Sequence, residues 1–203
     1  YAVGEWARVW PLSRLIKSMG AYFIRRKSRG LLYRKVLARY VQMATQGGVT
    51  QAIFPEGGLT VNGKLMPLKM GLLSYVVDGF DSEGRDVVFI PVAINYDRVL
   101  EDRVLLAAHQ RGDRRFGAKI SVTMRFIMHK IWQKARGRYV RFGIASVSFG
   151  VPLSLKSMDR DAPLEALAAE LKSRIEDVMP VLFVPVLAQV FLASSGPLTI
   201  LEL

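Results

Sequence analysis

The segment Phe54-Pro55-Glu56-Gly57-Gly58-Leu59-Thr60-Val61-Asn62-Gly63-Lys64 concentrates the residue types that hold an anion. Its glycines let backbone N–H groups approach a phosphate closely, and Lys64 adds a full positive charge. Gly58 to Lys64 also reads G-x4-G-K, part of a P-loop, but Leu65 follows where that motif needs a Ser or Thr for magnesium. Pro67 then falls where the P-loop helix would be starting. A nucleoside triphosphatase is therefore disfavoured, and a glycine-rich anion-binding turn remains. A second cationic group, Arg25-Arg26, closes the short apolar run Ala21–Ile24. Guanidinium forks match phosphate oxygens in pairs, so these two are candidate phosphate ligands. Lys27, Arg29, Arg34, Lys35 and Arg39 follow as a solvated basic cluster that could face anionic lipid.

The elements that must position these groups are readable from periodicity and punctuation. Pro11 to Met19 predicts a short helix and Ala21 to Ile24 a strand. Leu31 to Ala44 predicts a helix, with Leu32, Val36, Tyr40 and Met43 at helical spacing and Gly47-Gly48 as a stop. Gln51 to Phe54 is expected as a short strand feeding the glycine-rich loop, and Lys69 to Val77 as a helix. Val87 to Ile94 is a continuous apolar run, the pattern of a strand buried on both faces. Glu101 to Lys134 reads as largely helical and Tyr139 to Phe149 as a strand. A helix is expected from near Pro163 to Val178, with Leu164, Leu167, Leu171 and Ile175 along one face. Alternating strands and helices predict an α/β fold with a mostly parallel or mixed central sheet flanked by helices.

Composition narrows the partners. The 203 residues include 51% hydrophobic and 23% charged residues, enough for an ordinary domain with a core. The net charge of +12 accompanies a mean hydropathy of +0.21, apolar for so basic a chain. That combination points to a membrane surface or an amphiphilic anionic ligand rather than to nucleic acid. There is no cysteine, which excludes disulfides, thiolate nucleophiles and Cys-based zinc sites, and no metal site is expected. Val178 to Ala193 is apolar, but at 16 residues, with Pro180 and Pro185 inside, it falls short of the ~20 residues a spanning helix needs. The chain starts at Tyr1 rather than Met and ends just after an apolar stretch, so a longer parent is expected.

Three segments share an order and spacing. Gly20-Ala21-Tyr22-Phe23-Ile24-Arg25-Arg26 precedes the glycine-rich loop, and Ile90-Pro91-Val92-Ala93-Ile94-Asn95-Tyr96-Asp97-Arg98-Val99 follows it. Together they resemble the second, third and fourth blocks of the glycerol-3-phosphate acyltransferase family, in the glycerolipid acyltransferase superfamily. Val147-Ser148-Phe149-Gly150-Val151-Pro152-Leu153 is similar to the strand and turn beyond the last block, so the resemblance runs from Trp10 to Leu153. It implies one acyltransferase domain over residues 1–178, truncated at its N-terminus. Residues 179–203 would then be an apolar segment that begins a further region or a membrane-facing helix.

The resemblance further implies that Arg25, Arg26, Glu56, Gly57, Gly58 and Lys64 bind the substrate, with Glu56 orienting the loop or a basic neighbour. The family's first block, a histidine and an aspartate separated by four residues, is absent. His109 precedes Asp113 by one residue too few, and His129 has Lys134 at the aspartate position. The catalytic pair is therefore expected upstream of Tyr1. Leu59, Thr60 and Val61 also stand where the family commonly has arginine and serine, so one phosphate-binding cation is missing.

The implied activity is glycerol-3-phosphate 1-O-acylation in phospholipid biosynthesis, with acyl-CoA or acyl-acyl carrier protein as donor and no bound cofactor. A membrane-associated protein on the cytoplasmic side is expected, with acyl carrier protein as a possible partner. Two alternatives stay open at this level: a 1-acylglycerol-3-phosphate acyltransferase, and a non-catalytic basic protein bound to membrane or nucleic acid. Phe23, Phe54 and Phe89 fall in predicted strands, which favours core packing over base stacking.

Overall fold

The computed structural model describes residues 2–4, 10, 12–24, 30–58, 60, 64–98, 128–129, 131–138, 143–159, 162–194, 196 and 199. Helices and strands are mixed along the chain, an α/β fold. They form two compact units, one of residues 1–59, 65–91 and 151–174, the other of residues 60–64, 92–150 and 175–203.

In the first unit, β1 (Ala2–Gly4) pairs in parallel with β2 (Tyr22–Ile24), joined through α1 (Leu12–Ser18). Helix α2 (Leu31–Gln46) packs on α3 (Met70–Asp78). Their approach is close at Gly79, where a β-carbon would stand 2.8 Å from the Gln42 Cα. The sequence pattern locates α2 correctly but not its orientation. Val41 is the buried residue, and the Leu32–Val36–Tyr40–Met43 stripe lies on the opposite, exposed side.

The core of this unit joins Leu73 of α3 to Leu153 and to Leu167, Ala168 and Leu171 of α4 (Leu164–Asp177). Phe89 of β3 (Val88–Phe89) packs against this cluster, and β3 pairs antiparallel with β6 (Leu153–Ser154). Two polar contacts fix the β6 region. Ser154 Oγ donates to Asp86 at 2.5 Å and the Lys156 amide donates to the same carboxylate at 3.1 Å. Arg174 Nη1 donates to the carbonyls of Val151 and Pro152, each at 3.1 Å, while its Nε pairs with Glu170 at 2.7 Å.

In the second unit, β4 (Val92–Tyr96) pairs antiparallel with β5 (Ala145–Phe149), Val92 opposite Phe149 and Ile94 opposite Val147. Side chains alternate across a strand. One face of this pair carries Val92, Ile94, Tyr96, Val147 and Phe149, all exposed, and the other carries Ala93, Asn95, Ser146 and Ser148. Ala93 is only 2% exposed. Asp97 closes the ladder by accepting from the Ile144 amide at 2.7 Å, and Asn95 donates to the Pro180 carbonyl at 2.8 Å. Helix α5 (Phe183–Ala193) has Pro185 in its first turn, where the missing N–H is harmless. Among the described residues no helix is long and apolar enough to cross a membrane.

Two expected strands differ. Val87 to Ile94 is split, because Pro91 has no N–H for a ladder and the chain changes partner there, from β6 to β5. It is also not buried on both faces, since Ile90 and Ile94 are exposed. Gln51 to Phe54 joins no ladder, and Phe54 is 63% exposed rather than in a core. Its carbonyl instead closes the following turn. Strand pairing is mixed, one parallel and two antiparallel pairs among the described residues. Expected structure within 99–127 and 139–142 lies outside the described residues.

Leu73 is 5% exposed at the centre of the core, so Leu73→Ala should lower unfolding free energy by about 2–5 kcal/mol in a urea titration. Val88→Ala, at a half-exposed position, should cost well under half as much. The hydrogen bond from Ser154, followed by those from the Lys156 and Val87 amides, holds the Asp86 carboxyl below its ordinary 3.8. A depressed folded-state pKa stabilises above that ordinary value, and the benefit fades as pH falls through the folded value. Stability measured from pH 6 down to pH 2 should therefore decline less steeply in Asp86→Asn than in the parent. Parallel curves would show that this carboxylate plays no part in acid unfolding.

Candidate functional site

The glycine-rich loop is pinched at its base by three hydrogen bonds. The Gly57 amide donates to the Phe54 carbonyl at 3.0 Å, making a tight turn. Its φ of +61° is left-handed, which a side chain would strain. The Lys69 amide donates to the Pro55 carbonyl at 2.7 Å, and the Met66 amide donates to Glu56 Oε2 at 2.9 Å. Both donors come from the segment that leads into α3, so the loop leaves and returns at one place. Lys69 is the residue immediately before the helix, and α3 is anchored by buried Leu73 and Val76.

Glu56 is half-buried and its carboxylate holds the returning strand of the loop, which is an orienting contact. Gly57 lies directly under the side chain of Lys69. A β-carbon on Gly57 would meet Lys69 Cδ at 2.8 Å and Nζ at 3.2 Å. Gly58 is exposed. The structure thus brings Glu56, Gly57 and Gly58 together and adds Lys69, which in the sequence is only the expected start of a helix. A lysine where Ser, Thr or Asp usually caps a helix was the available signal.

Lys64 falls in the second unit, where it is exposed and its carbonyl accepts from the Thr60 hydroxyl at 2.9 Å. Arg25 and Arg26 lie outside the described residues, directly after β2. Within β2, burial, followed by the phenols of Tyr40 and Tyr33, raises the Tyr22 pKa above its ordinary 10.0, so this phenol stays neutral. Its ring packs edge-on against Tyr40 of α2 with centroids 5.2 Å apart. His129 is exposed, its Nε2 3.0 Å from the Gln133 side-chain nitrogen and its ring stacked on Trp132. No carboxylate among the described residues holds it as a general base would be held. His109 lies outside the described residues. Among the described residues no group of three or more His, Asp or Glu side chains could hold a metal ion.

Comparison with known proteins bears on this site. Residues 1–95, which contain the loop and α3, match the family model described as Acyltransferase. A Mycobacterium tuberculosis protein provisionally named acyltransferase plsB1 is 30% identical over 95% of this chain and 31% of its own length. The glycerol-3-phosphate acyltransferases of Haemophilus influenzae and Pseudomonas syringae are 30% and 34% identical, over 77% and 73% of this chain and 18% and 17% of theirs. The chain thus spans between 17% and 31% of the length of these relatives. No solved structure matches it. Residues 1–95 thus belong to the acyltransferase family, and the chain is similar to glycerol-3-phosphate acyltransferases.

Gly57→Ala should lower the unfolding free energy by roughly 1–2 kcal/mol from the left-handed backbone alone. It should also displace Lys69, which limited proteolysis around residues 54–69 would report as faster cleavage. Glu56→Gln keeps an acceptor for the Met66 amide, so it should destabilise less than Glu56→Ala. The latter strands that amide, at about 1–3 kcal/mol. Equal losses in the two variants would mean that this hydrogen bond does not hold the loop.

Proposed function

We propose that the protein carrying this chain is a glycerol-3-phosphate 1-O-acyltransferase that moves a fatty-acyl group from a thioester to glycerol-3-phosphate in phospholipid biosynthesis. The observation that carries the reading is similarity, at 30% and 34% identity over about three quarters of the chain, to two proteins named glycerol-3-phosphate acyltransferase. The pinched loop supports it, because glycines with the Lys69 side chain over them, beside a helix start, suit a phosphate-bearing acceptor.

In this reading Arg25, Arg26 and Lys64 hold the acceptor phosphate with the amides of Gly57 and Gly58, and Glu56 keeps the loop in shape. The base is a histidine oriented by an aspartate, placed outside residues 1–203. It takes the proton from a glycerol hydroxyl, and the oxygen attacks the thioester carbonyl carbon. The tetrahedral oxyanion then collapses, the C–S bond breaks, and the thiolate leaves with the proton returned. Transfer is direct, so neither an acyl-enzyme nor a resident cofactor is needed. The donor, acyl-CoA or acyl-acyl carrier protein, is acidic and is drawn by the +12 charge.

The reading includes association with an anionic membrane surface on the cytoplasmic side. The outward face of α2 supports this. Leu32, Val36, Tyr40 and Met43 are 76%, 59%, 54% and 58% exposed, and Lys35 and Arg39 run beside them. The helix contains no acidic residue. An apolar stripe bordered by cations suits the boundary between headgroups and acyl chains.

The intact purified protein should acylate glycerol-3-phosphate with a higher kcat/KM than 1-acylglycerol-3-phosphate. The reverse preference would make it a second-chain enzyme, and activity on neither would sink the reading. Arg25→Ala or Arg26→Ala should raise KM for the acceptor about tenfold or more, from the loss of a charge-assisted contact. KM for the thioester should hold within about twofold, since that substrate makes no such contact. In a vesicle-pelleting assay with phosphatidylglycerol, Lys35→Gln/Arg39→Gln should weaken partitioning about thirtyfold, taking about 1 kcal/mol per cation. Unchanged pelleting would remove α2 from the membrane contact.

A further inference from the structure

We infer that Lys69 is a phosphate-binding residue of the glycine-rich loop, supplying a cation that Leu59, Thr60 and Val61 do not. The inference deepens the acyltransferase reading and names a residue that binds the acceptor's phosphate monoester. Three observations carry it. The Lys69 backbone is fixed beside the loop, its amide bonded to the Pro55 carbonyl at 2.7 Å. Its side chain is laid across Gly57, with Cδ, Nζ and Cε at 2.8, 3.2 and 3.4 Å from where a β-carbon would be. A β-carbon on Gly57 would push that stem aside, so the positive-φ glycine and the lysine share the space above the turn.

The third observation is electrostatic. No carboxylate among the described residues forms an ion pair with the Lys69 ammonium. Glu56, the acid within the loop, has Oε2 engaged by the Met66 amide. An ammonium has three donors and no acceptor. Held over Gly57, its charge is available to a dianionic oxygen cluster. Because the backbone is already held at the loop, the exposed ammonium reaches the turn without any chain movement. Arginine at this position would keep the charge, carried on a planar fork.

The intact protein tests this in two ways. In steady-state assays Lys69→Ala should raise KM for glycerol-3-phosphate about tenfold or more, the scale of a lost charge-assisted contact, with KM for the thioester within about twofold. Competitive inhibition by inorganic phosphate should weaken in parallel, and Lys69→Arg should restore most of both effects. In the unmodified protein, inorganic phosphate and glycerol-3-phosphate should each slow reductive methylation of Lys69, read by mass spectrometry, more than that of Lys35. Labelling needs no variant, so it decides the matter even where Lys69→Ala fails to fold. Protection by glycerol-3-phosphate but not by phosphate would assign Lys69 to the glycerol moiety and overturn the phosphate role. An active protein whose Lys69→Ala variant keeps both KM values, or whose Lys69 is not protected, overturns the inference and leaves the acyltransferase reading standing. A protein that acylates no glycerol phosphate overturns the reading itself, while protection by phosphate would still mark an anion site.

Discussion

The 2.7 Å hydrogen bond from the Lys69 amide to the Pro55 carbonyl makes the glycine-rich loop and helix α3 into one piece. A loop of this length has many closed conformations, and ordering it must be supported by contacts elsewhere. Here the support is the core. Leu73, one turn into α3, packs with Leu153, Leu167 and Leu171, and β3 adds Phe89 to the same cluster. The loop's base is thus tied to the hydrophobic core of the first unit, while Gly58 stays at the surface. The Glu56 bond to Met66 repeats the tie from the other side. A loop on a rigid base suits the recognition of a small charged group.

Packing in the two units follows different compositional logic. In the first, large aliphatic side chains from two helices and a strand converge, and polar contacts such as Asp86 with Ser154 and Arg174 with Val151 and Pro152 secure its edges. In the second, β4 and β5 turn their small residues to one face and their large apolar residues to the exposed other. Pro91 marks the passage between these regimes, because a residue without an N–H cannot carry one ladder through.

Much of the helical content was legible in the residues. The helices expected at 31–44, 69–77 and 163–178 form at 31–46, 70–78 and 164–177, since glycine stops and a 3.6-residue repeat are local signals. Strands were harder. Val87 to Ile94 looks like one buried strand because hydrophobicity alone does not reveal where pairing changes partners. Gln51 to Phe54 has strand composition, yet a strand exists only where another offers a ladder. The outward stripe of α2 was likewise invisible, because periodicity shows that a helix has an apolar face but not what meets it.

The candidate site divides in the same way. The order and spacing of Gly20–Arg26, Phe54–Lys64 and Ile90–Val99 are properties of the one-dimensional chain. They sufficed to indicate the acyltransferase family that residues 1–95 match. They also singled out Glu56, Gly57 and Gly58. The sequence by itself therefore determined the family, the helices and which loop to examine. Only the tertiary structure decided that Glu56 spends its carboxylate on a backbone amide and that Lys69 lies over Gly57. The reason is physical. Which charge stands next to which glycine depends on a chain reversal between Glu56 and Lys69, and that reversal is held by hydrogen bonds and a distant core.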